Sequence, residues 1–204
     1  MKFGMYYNKE TIGDVLLVIY KSDVIPAYIE QRNDIVALFD KDNEIVGYNF
    51  LNISNSMKIK AHGQIPICSH QVIDILNCML KNASFPLLDY LDESGFKVGQ
   101  IVEMEEHPDS DHLHILKVDI KKDRLLNIVC GSFNAKVGLK VVVATENCFM
   151  PSGKQIIPGE VMGVFSEGML CSGRELNIDE YENKKGLYIL DDSYNVGDDF
   201  YTLY

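Results

Sequence analysis

The sequence predicts a mainly β chain of the α+β class: a small α+β domain over residues 1–93, then a β-barrel domain over 94–204. Three observations carry this. At 204 residues with 47% hydrophobic content, the chain can fill one large core or two modest ones. One amphipathic helical stripe occurs in the first half only. From Phe96 onward short β-rich runs alternate with Gly, Pro, Asn and Asp turns, and no helix of ten residues is legible.

Taken in order, Phe3 to Tyr7 is aromatic-rich and reads as a strand. Val15 to Tyr20 is a continuous apolar run too short for a typical helix, so it reads as a buried strand. Ile35 to Phe39 and Ile45 to Phe50 are two more strands, joined by the polar turn Asp40-Lys41-Asp42-Asn43-Glu44. Val72, Ile73, Leu76, Met79 and Leu80 form one helical stripe behind Ser69, which is placed to cap it. Pro86 admits a short helical turn through Leu91, and Asp89 to Gly95 is the expected linker.

The second half gives strands at Val98 to Glu103, Leu113 to Ile120, Leu125 to Cys130 and Leu139 to Ala144. Lys121-Lys122-Asp123 forms a hairpin tip between the second and third. Val161 to Val164, Gly168 to Cys171 and Gly186 to Leu190 are shorter strands. About five strands in roughly a hundred residues, with loops longer than tight hairpins, suit a small Greek-key barrel of the oligonucleotide-binding (OB) type.

Composition narrows the function. No apolar run reaches the length of a membrane span, and the N-terminal residues lack the apolar core and cleavage site of a signal peptide. Five scattered cysteines without a C-x-x-C pair argue against a disulfide framework or a zinc ribbon, and fit a reduced, cytoplasmic setting. The net charge is −11; residues up to Ser94 hold 8 basic and 12 acidic side chains, and the rest hold 11 and 18. Any polyanion must therefore be met by a local patch against an adverse field.

Chemical motifs fare poorly. His107-Pro108-Asp109-Ser110-Asp111-His112-Leu113-His114 is rich in metal-ligand types, but it reads better as a turn, with His112 and His114 on one exposed strand face. Cys130 and Cys171 close strands without a neighbouring histidine in sequence, and read as packed thiols. No phosphate loop is present. The expectation is a protein without catalytic residues, cofactor or metal. Lys117, Lys121, Lys122, Arg124, Lys136, Lys140, Lys154 and Arg174 lie along the barrel, and four of them (Lys136, Lys140, Lys154 and Arg174) flank Gly-rich loops. Phe133 and Phe149 stand beside loops, placed either to stack on bases or to plug the barrel mouth.

Four blocks resemble a known family. Val98 to Glu103 with His107 to Asp111 resembles its opening strand and His-Pro-x-Ala-Asp turn. Ile128-Val129-Cys130-Gly131-Ser132-Phe133-Asn134 is similar to its Ile-Val-x-Gly-Ala-x-Asn stretch, and Gly138-Leu139-Lys140-Val141 follows in register. Gly163-Val164-Phe165-Ser166-Glu167-Gly168-Met169-Leu170-Cys171-Ser172 is the most specific block. Together they resemble the tRNA-binding module of the bacterial phenylalanyl-tRNA synthetase β subunit and related synthetase-associated proteins, from about Phe96 to Leu203. The first half more weakly resembles stand-alone bacterial proteins that join a small domain to one such module. Departures are Met162 where the family often has Arg, His112 where Lys is frequent, and Phe133 where Pro is common.

The resemblance implies an OB-fold that reads tRNA by shape and backbone. It carries tRNA contact onto Ser166 and Met169, and the expected surface is bordered by Asn134, Lys136, Lys154, Ser166, Met169, Ser172 and Arg174. Expected partners are tRNA and an aminoacyl-tRNA synthetase or other translation protein. A protein-interaction or chaperone-like use of the same barrel is the alternative. Oligomeric state is not legible.

Overall fold

Alternation builds the first half of the chain. In a computed structural model, which describes residues 2–203 and leaves Met1 and Tyr204 outside, β1 (Gly4–Tyr7) is followed by a single helical turn, α1 (Lys9–Ile12), capped by the Asn8 side chain. Then come β2 (Val15–Ile19), β3 (Tyr28–Arg32), β4 (Ile35–Phe39), β5 (Ile45–Leu51), β6 (Gly63–Gln64) and helix α2 (His70–Asn82). The strands pair antiparallel in the order β3-β4-β5-β2-β1-β6. Leu16 and Val18 of β2 are fully buried while Val15, Leu17 and Ile19 are half-buried, so the apolar run shows two faces rather than uniform burial.

Ile73, Leu76 and Leu80 seat α2 on that sheet, in a core whose largest side chains include Tyr48 and Phe50. One expectation is met in part and one is corrected here. Ser69 is the N-cap of α2, with extended dihedrals, but its side chain makes no cap bond. Residues 86–91 are not helical: the Asn77 side chain takes both the Leu88 amide (2.7 Å) and carbonyl (3.0 Å), and the Tyr48 hydroxyl takes the Pro86 carbonyl (3.0 Å). With those backbone groups claimed by α2 and β5, a helical turn gains nothing. Strand β3 is an addition to the expected strands: its apolar residues are exposed, with Ile29 62% exposed, so no inward-facing alternation marks it in the sequence.

The chain divides into two compact units, residues 1–92 with 153–155, and residues 93–152 with 156–204. The second contains β7 (Phe96–His107), β8 (Ser110–Asp119), β9 (Leu126–Cys130), β10 (Lys140–Thr145), β11 (Gly159–Val161), β12 (Val164–Ser166), β13 (Gly168–Leu170), β14 (Ile189–Leu190) and the short helix α3 (Phe200–Leu203). Five strands run β13-β10-β7-β8-β9, all antiparallel, with β14 added to β10. Register breaks in β7 at Ile101/Glu103 and Glu106/His107 let that long strand bend through the sheet.

Strand β10 shows why its run Val141-Val142-Val143-Ala144 is unbroken. Val141 and Val143 enter one core with Ile101, Leu116, Val118, Ile128 and Leu170. Val142 and Ala144 enter a second with Phe96, Val98, Leu176, Leu190 and Phe200, where the C-terminal segment covers the sheet. That segment is tied to the start of the barrel by Asp199: its carboxylate accepts from the Ser94 amide (2.8 Å) and the Ser94 hydroxyl (2.7 Å) and lies 4.0 Å from the buried Lys97 ammonium.

Strands β9 and β13 meet without a continuous ladder. The Glu167 amide donates to the Asn127 carbonyl at 2.8 Å, and the Glu167 carboxylate accepts the Asn127 amide at 2.9 Å. The result is a partly open five-stranded barrel. The expected strand Val161 to Val164 is instead the tip of the β11–β12 hairpin, because Met162 (φ 49°) and Gly163 (φ 82°) both turn left-handed, as the twist of a two-residue hairpin requires.

Candidate functional site

A cleft of about 370 Å³ opens where β9 and β13 end. Met169 and Leu170 line it from β13, Val129 and Cys130 from β9, and the loop Gly131-Ser132-Phe133 forms one bank. Opposite stand Ser172 and Glu175 with Lys185-Gly186-Leu187. Phe133 is 80% exposed, an aromatic face offered to solvent, whereas Phe149 is only 3% exposed and belongs to the packing.

The banks are fixed by side chains that imitate backbone. Asn134 donates from Nδ2 to the Leu187 carbonyl (3.2 Å) and accepts the Leu187 amide on Oδ1 (2.8 Å), while the Ser132 hydroxyl donates to the same oxygen (2.8 Å). Its side chain thus stands in for a strand partner between two loops. Gly186 (φ 98°) is needed for this approach, since a Cβ there would lie 2.7 Å from Asn134 Oδ1. Ser172 and Glu175 lock each other: the Ser172 amide (2.8 Å) and hydroxyl (2.7 Å) donate to the Glu175 carboxylate, and the Glu175 amide donates to the Ser172 hydroxyl (3.2 Å).

The residues expected at the surface separate into distinct settings. Met169 and Ser172 line the cleft, and Asn134 braces it from behind. Lys136 and Arg174 are exposed but outside its lining. Ser166 is 7% exposed, and its hydroxyl accepts from the Val129 amide and donates to the Gly168 carbonyl, so its polar capacity is spent within the barrel. Lys154 falls in the segment 153–155 that groups with the first unit.

Other basic residues are tied down. The Arg124 guanidinium pairs with Glu167, Lys121 with Asp119 at 3.2 Å, and Lys140 donates to the Asp192 (3.2 Å) and Tyr194 (2.8 Å) carbonyls. Lys185, exposed on the cleft bank, is the cation that sequence reading passed over. It sits in Asn183-Lys184-Lys185-Gly186, a run without periodicity, and the Lys-Lys-Gly turn is the one signal that pointed to it.

Cys130, Cys171 and His107 are structural. Burial pushes the Cys130 thiol up and the Cys171 thiol well up, which withholds the thiolate needed for nucleophilic work. His107 is 4% exposed; its Nδ1 accepts the Asp109 amide (3.1 Å), which leaves Nε2 to donate to the Val161 carbonyl (3.2 Å) and so pins the β11–β12 hairpin. His112 is exposed and His114 half-buried. Among the described residues no group of three or more His, Cys, Asp or Glu is arranged to hold a metal, and no helix is long and apolar enough to cross a membrane.

Residues 96–199 match the family described as "Putative tRNA binding domain", and residues 22–88 match the family described as "Domain of unknown function (DUF4479)". The chain is 35% identical over 198 residues to "Putative tRNA-binding protein YtpR" of Bacillus subtilis, covering 96% of this chain and 98% of that one. It is 44% identical over 106 residues to the phenylalanine–tRNA ligase β subunit of Vibrio cholerae, covering 52% of this chain but 13% of that subunit. The C-terminal domain of Plasmodium vivax p43 aligns with a TM-score of 0.37 at 24% identity, over 52% of this chain and 61% of that one.

Proposed function

This chain belongs to the tRNA-binding domain family, and on that premise we propose that residues 94–204 bind tRNA in the cytoplasm without catalysing a reaction on it, while residues 1–93 form a separate domain. The observation that carries the reading is the coincidence of the matched span, 96–199, with a partly open barrel whose cleft bears an exposed aromatic ring and an exposed cation. Phe133 supplies a stacking face, Lys185 a phosphate partner at the bank, and Met169 an apolar floor for a base or ribose. Lys136 and Arg174 extend the contact along the backbone. Ser166 and Asn134 act from behind by holding the strand ends and loops in place. Lys154 remains a proposed outer contact.

The net charge of −11 sets the terms of recognition. Long-range attraction is poor, so affinity rests on a few close cations and on stacking rather than on a broad positive field. Delivery of the bound tRNA to an aminoacyl-tRNA synthetase or another translation protein is the finer form of the proposal.

Filter binding of bulk tRNA to the full chain at about 50 and 200 mM salt is the test. Binding that weakens with salt, and weakens further in Lys136→Glu/Lys185→Glu, is the expected result. Absence of binding at the lower salt would sink the proposal. A pulldown with and without nuclease then separates partners held through RNA from partners held directly.

A further inference from the structure

The cleft where β9 and β13 end has an acidic group on its bank that recognition by shape and backbone does not use. Glu175 lines the cleft beside Ser172 and is exposed. The Ser172 amide (2.8 Å) and hydroxyl (2.7 Å) both donate to one carboxylate oxygen, Oε2, which fixes the side chain in place. Among the described residues the second oxygen, Oε1, has no hydrogen-bond partner, and the carboxylate has no ion pair. A carboxylate held by one oxygen presents the other as a preorganised, charged acceptor.

The hydroxyl donors around it are already engaged. The Ser132 hydroxyl gives its proton to Asn134 Oδ1 at 2.8 Å, and the Ser172 hydroxyl gives its own to Glu175. Lys185, on the bank, is the one Lys or Arg among the described lining residues. The negative charge is felt at the floor: burial pushes the Cys130 thiol up, and the Glu175 carboxylate adds to it.

These groups orient a nucleotide. A phosphate inside the cleft would meet the carboxylate, whereas at the bank it meets Lys185. The base is then the part that enters, with Phe133 and Met169 for its faces and Glu175 for its edge. About 370 Å³ holds one base with its ribose, so the base must be unpaired.

Resting on the tRNA-binding reading, we propose that this cleft takes an unpaired nucleotide whose base bears an exocyclic amino group, selected by Glu175 Oε1. Adenine, cytosine and guanine each carry such a group and can donate an N–H to that oxygen. Uracil places a keto oxygen where cytosine has its amine, so oxygen would face oxygen. Glu175 thereby adds a base preference at one position to contacts that otherwise follow the backbone.

Cytidine monophosphate (CMP) and uridine monophosphate (UMP) are the probes, since they share ribose and phosphate and differ at that ring position. Amide chemical-shift titration of the full chain at neutral pH should give saturable shifts around residues 131, 133, 169, 172 and 187. CMP should bind at least about fivefold more tightly than UMP. Glu175→Gln keeps a carbonyl oxygen for the Ser172 amide and hydroxyl but turns the open acceptor into an N–H donor, so the preference should vanish or reverse. Phe133→Ala should weaken both nucleotides and keep their ratio, because stacking does not depend on the amine. Equal affinities in the native chain, an unchanged preference in folded Glu175→Gln, or a preference lost with Phe133 would overturn the proposal. So would no saturable shift up to about 20 mM CMP while filter binding still detects tRNA, a result that leaves the tRNA-binding reading standing. Failure of both assays would remove that reading and this proposal together.

Discussion

The Ser166 hydroxyl accepts the Val129 amide proton at 3.1 Å and gives its own to the Gly168 carbonyl at 3.2 Å. One side chain thus links the end of β12 both to β9 and to the start of β13, across the gap where the barrel has no continuous ladder. Ser166→Ala leaves the Val129 amide without that partner, and urea unfolding should show a loss of about 1–3 kcal/mol. Filter binding under conditions where the variant is folded should give unchanged tRNA affinity. A large loss of affinity in the folded variant would return Ser166 to the contact surface.

Phe133 offers the complementary test. At 80% exposure its ring contributes little to packing, so Phe133→Ala should leave stability within about 0.5 kcal/mol. If the ring stacks on a base, tRNA affinity should fall by about 1–3 kcal/mol, which is roughly 5- to 150-fold. Parallel denaturation and binding titrations separate the two effects.

Glu167 predicts an acid-sensitive closure. The Arg124 guanidinium beside it, helped by the Asn127 amide, holds its carboxyl below the usual carboxylate range against the opposing effect of burial. A carboxyl lowered in the folded state contributes stability that is complete above its unfolded pKa and lost as pH falls through the folded value. Urea midpoints of the native protein should therefore exceed those of Glu167→Gln by a constant margin well above the ordinary glutamate value of about 4.3, and the margin should shrink as pH falls below it. A margin independent of pH would refute the role of the charge.

Gly99 lies between two walls of side chains. A Cβ there would meet Val143 Cγ2 at 2.5 Å and Val118 Cγ1 at 2.9 Å, both in the barrel core. Gly99→Ala should cost about 1–3 kcal/mol through overpacking, read as a drop in the denaturation midpoint.

Iodoacetamide should label the native chain at Cys78, which is exposed, well before Cys130, Cys148 or Cys171, which are buried. Mass mapping after a timed quench checks the order. Early labelling of Cys171 would contradict its place in the core.

The strands legible in the sequence were those with an unambiguous inward face, such as Ile45 to Leu51 and Lys140 to Thr145. The unread strand Tyr28–Arg32 carries its apolar side chains outward, against the rule that periodicity reading depends on. The Val161–Val164 stretch looked like a strand because β propensity does not register that Met162 turns left-handed beside Gly163. Around the cleft, the sequence blocks mark the loops and strand ends that border it, but they do not assign direction. That Ser166 points into the barrel is fixed by pairing with Val129 across 37 residues of chain, which no local pattern encodes. Lys185 reaches the cleft only because Asn134 binds Leu187 from the opposite loop.

The bonds from Asp199 to Ser94 put the entry and exit of the barrel side by side. A module whose two ends are adjacent behaves as a cassette: it can be spliced onto or into a host chain without its strands being threaded through anything else. Matching sequence that fills half of this chain yet 13% of a much longer synthetase subunit is what such portability produces. It also places a cost on truncation. Removing the last few residues would take away the latch and uncover the outer face of β10 together with the tail.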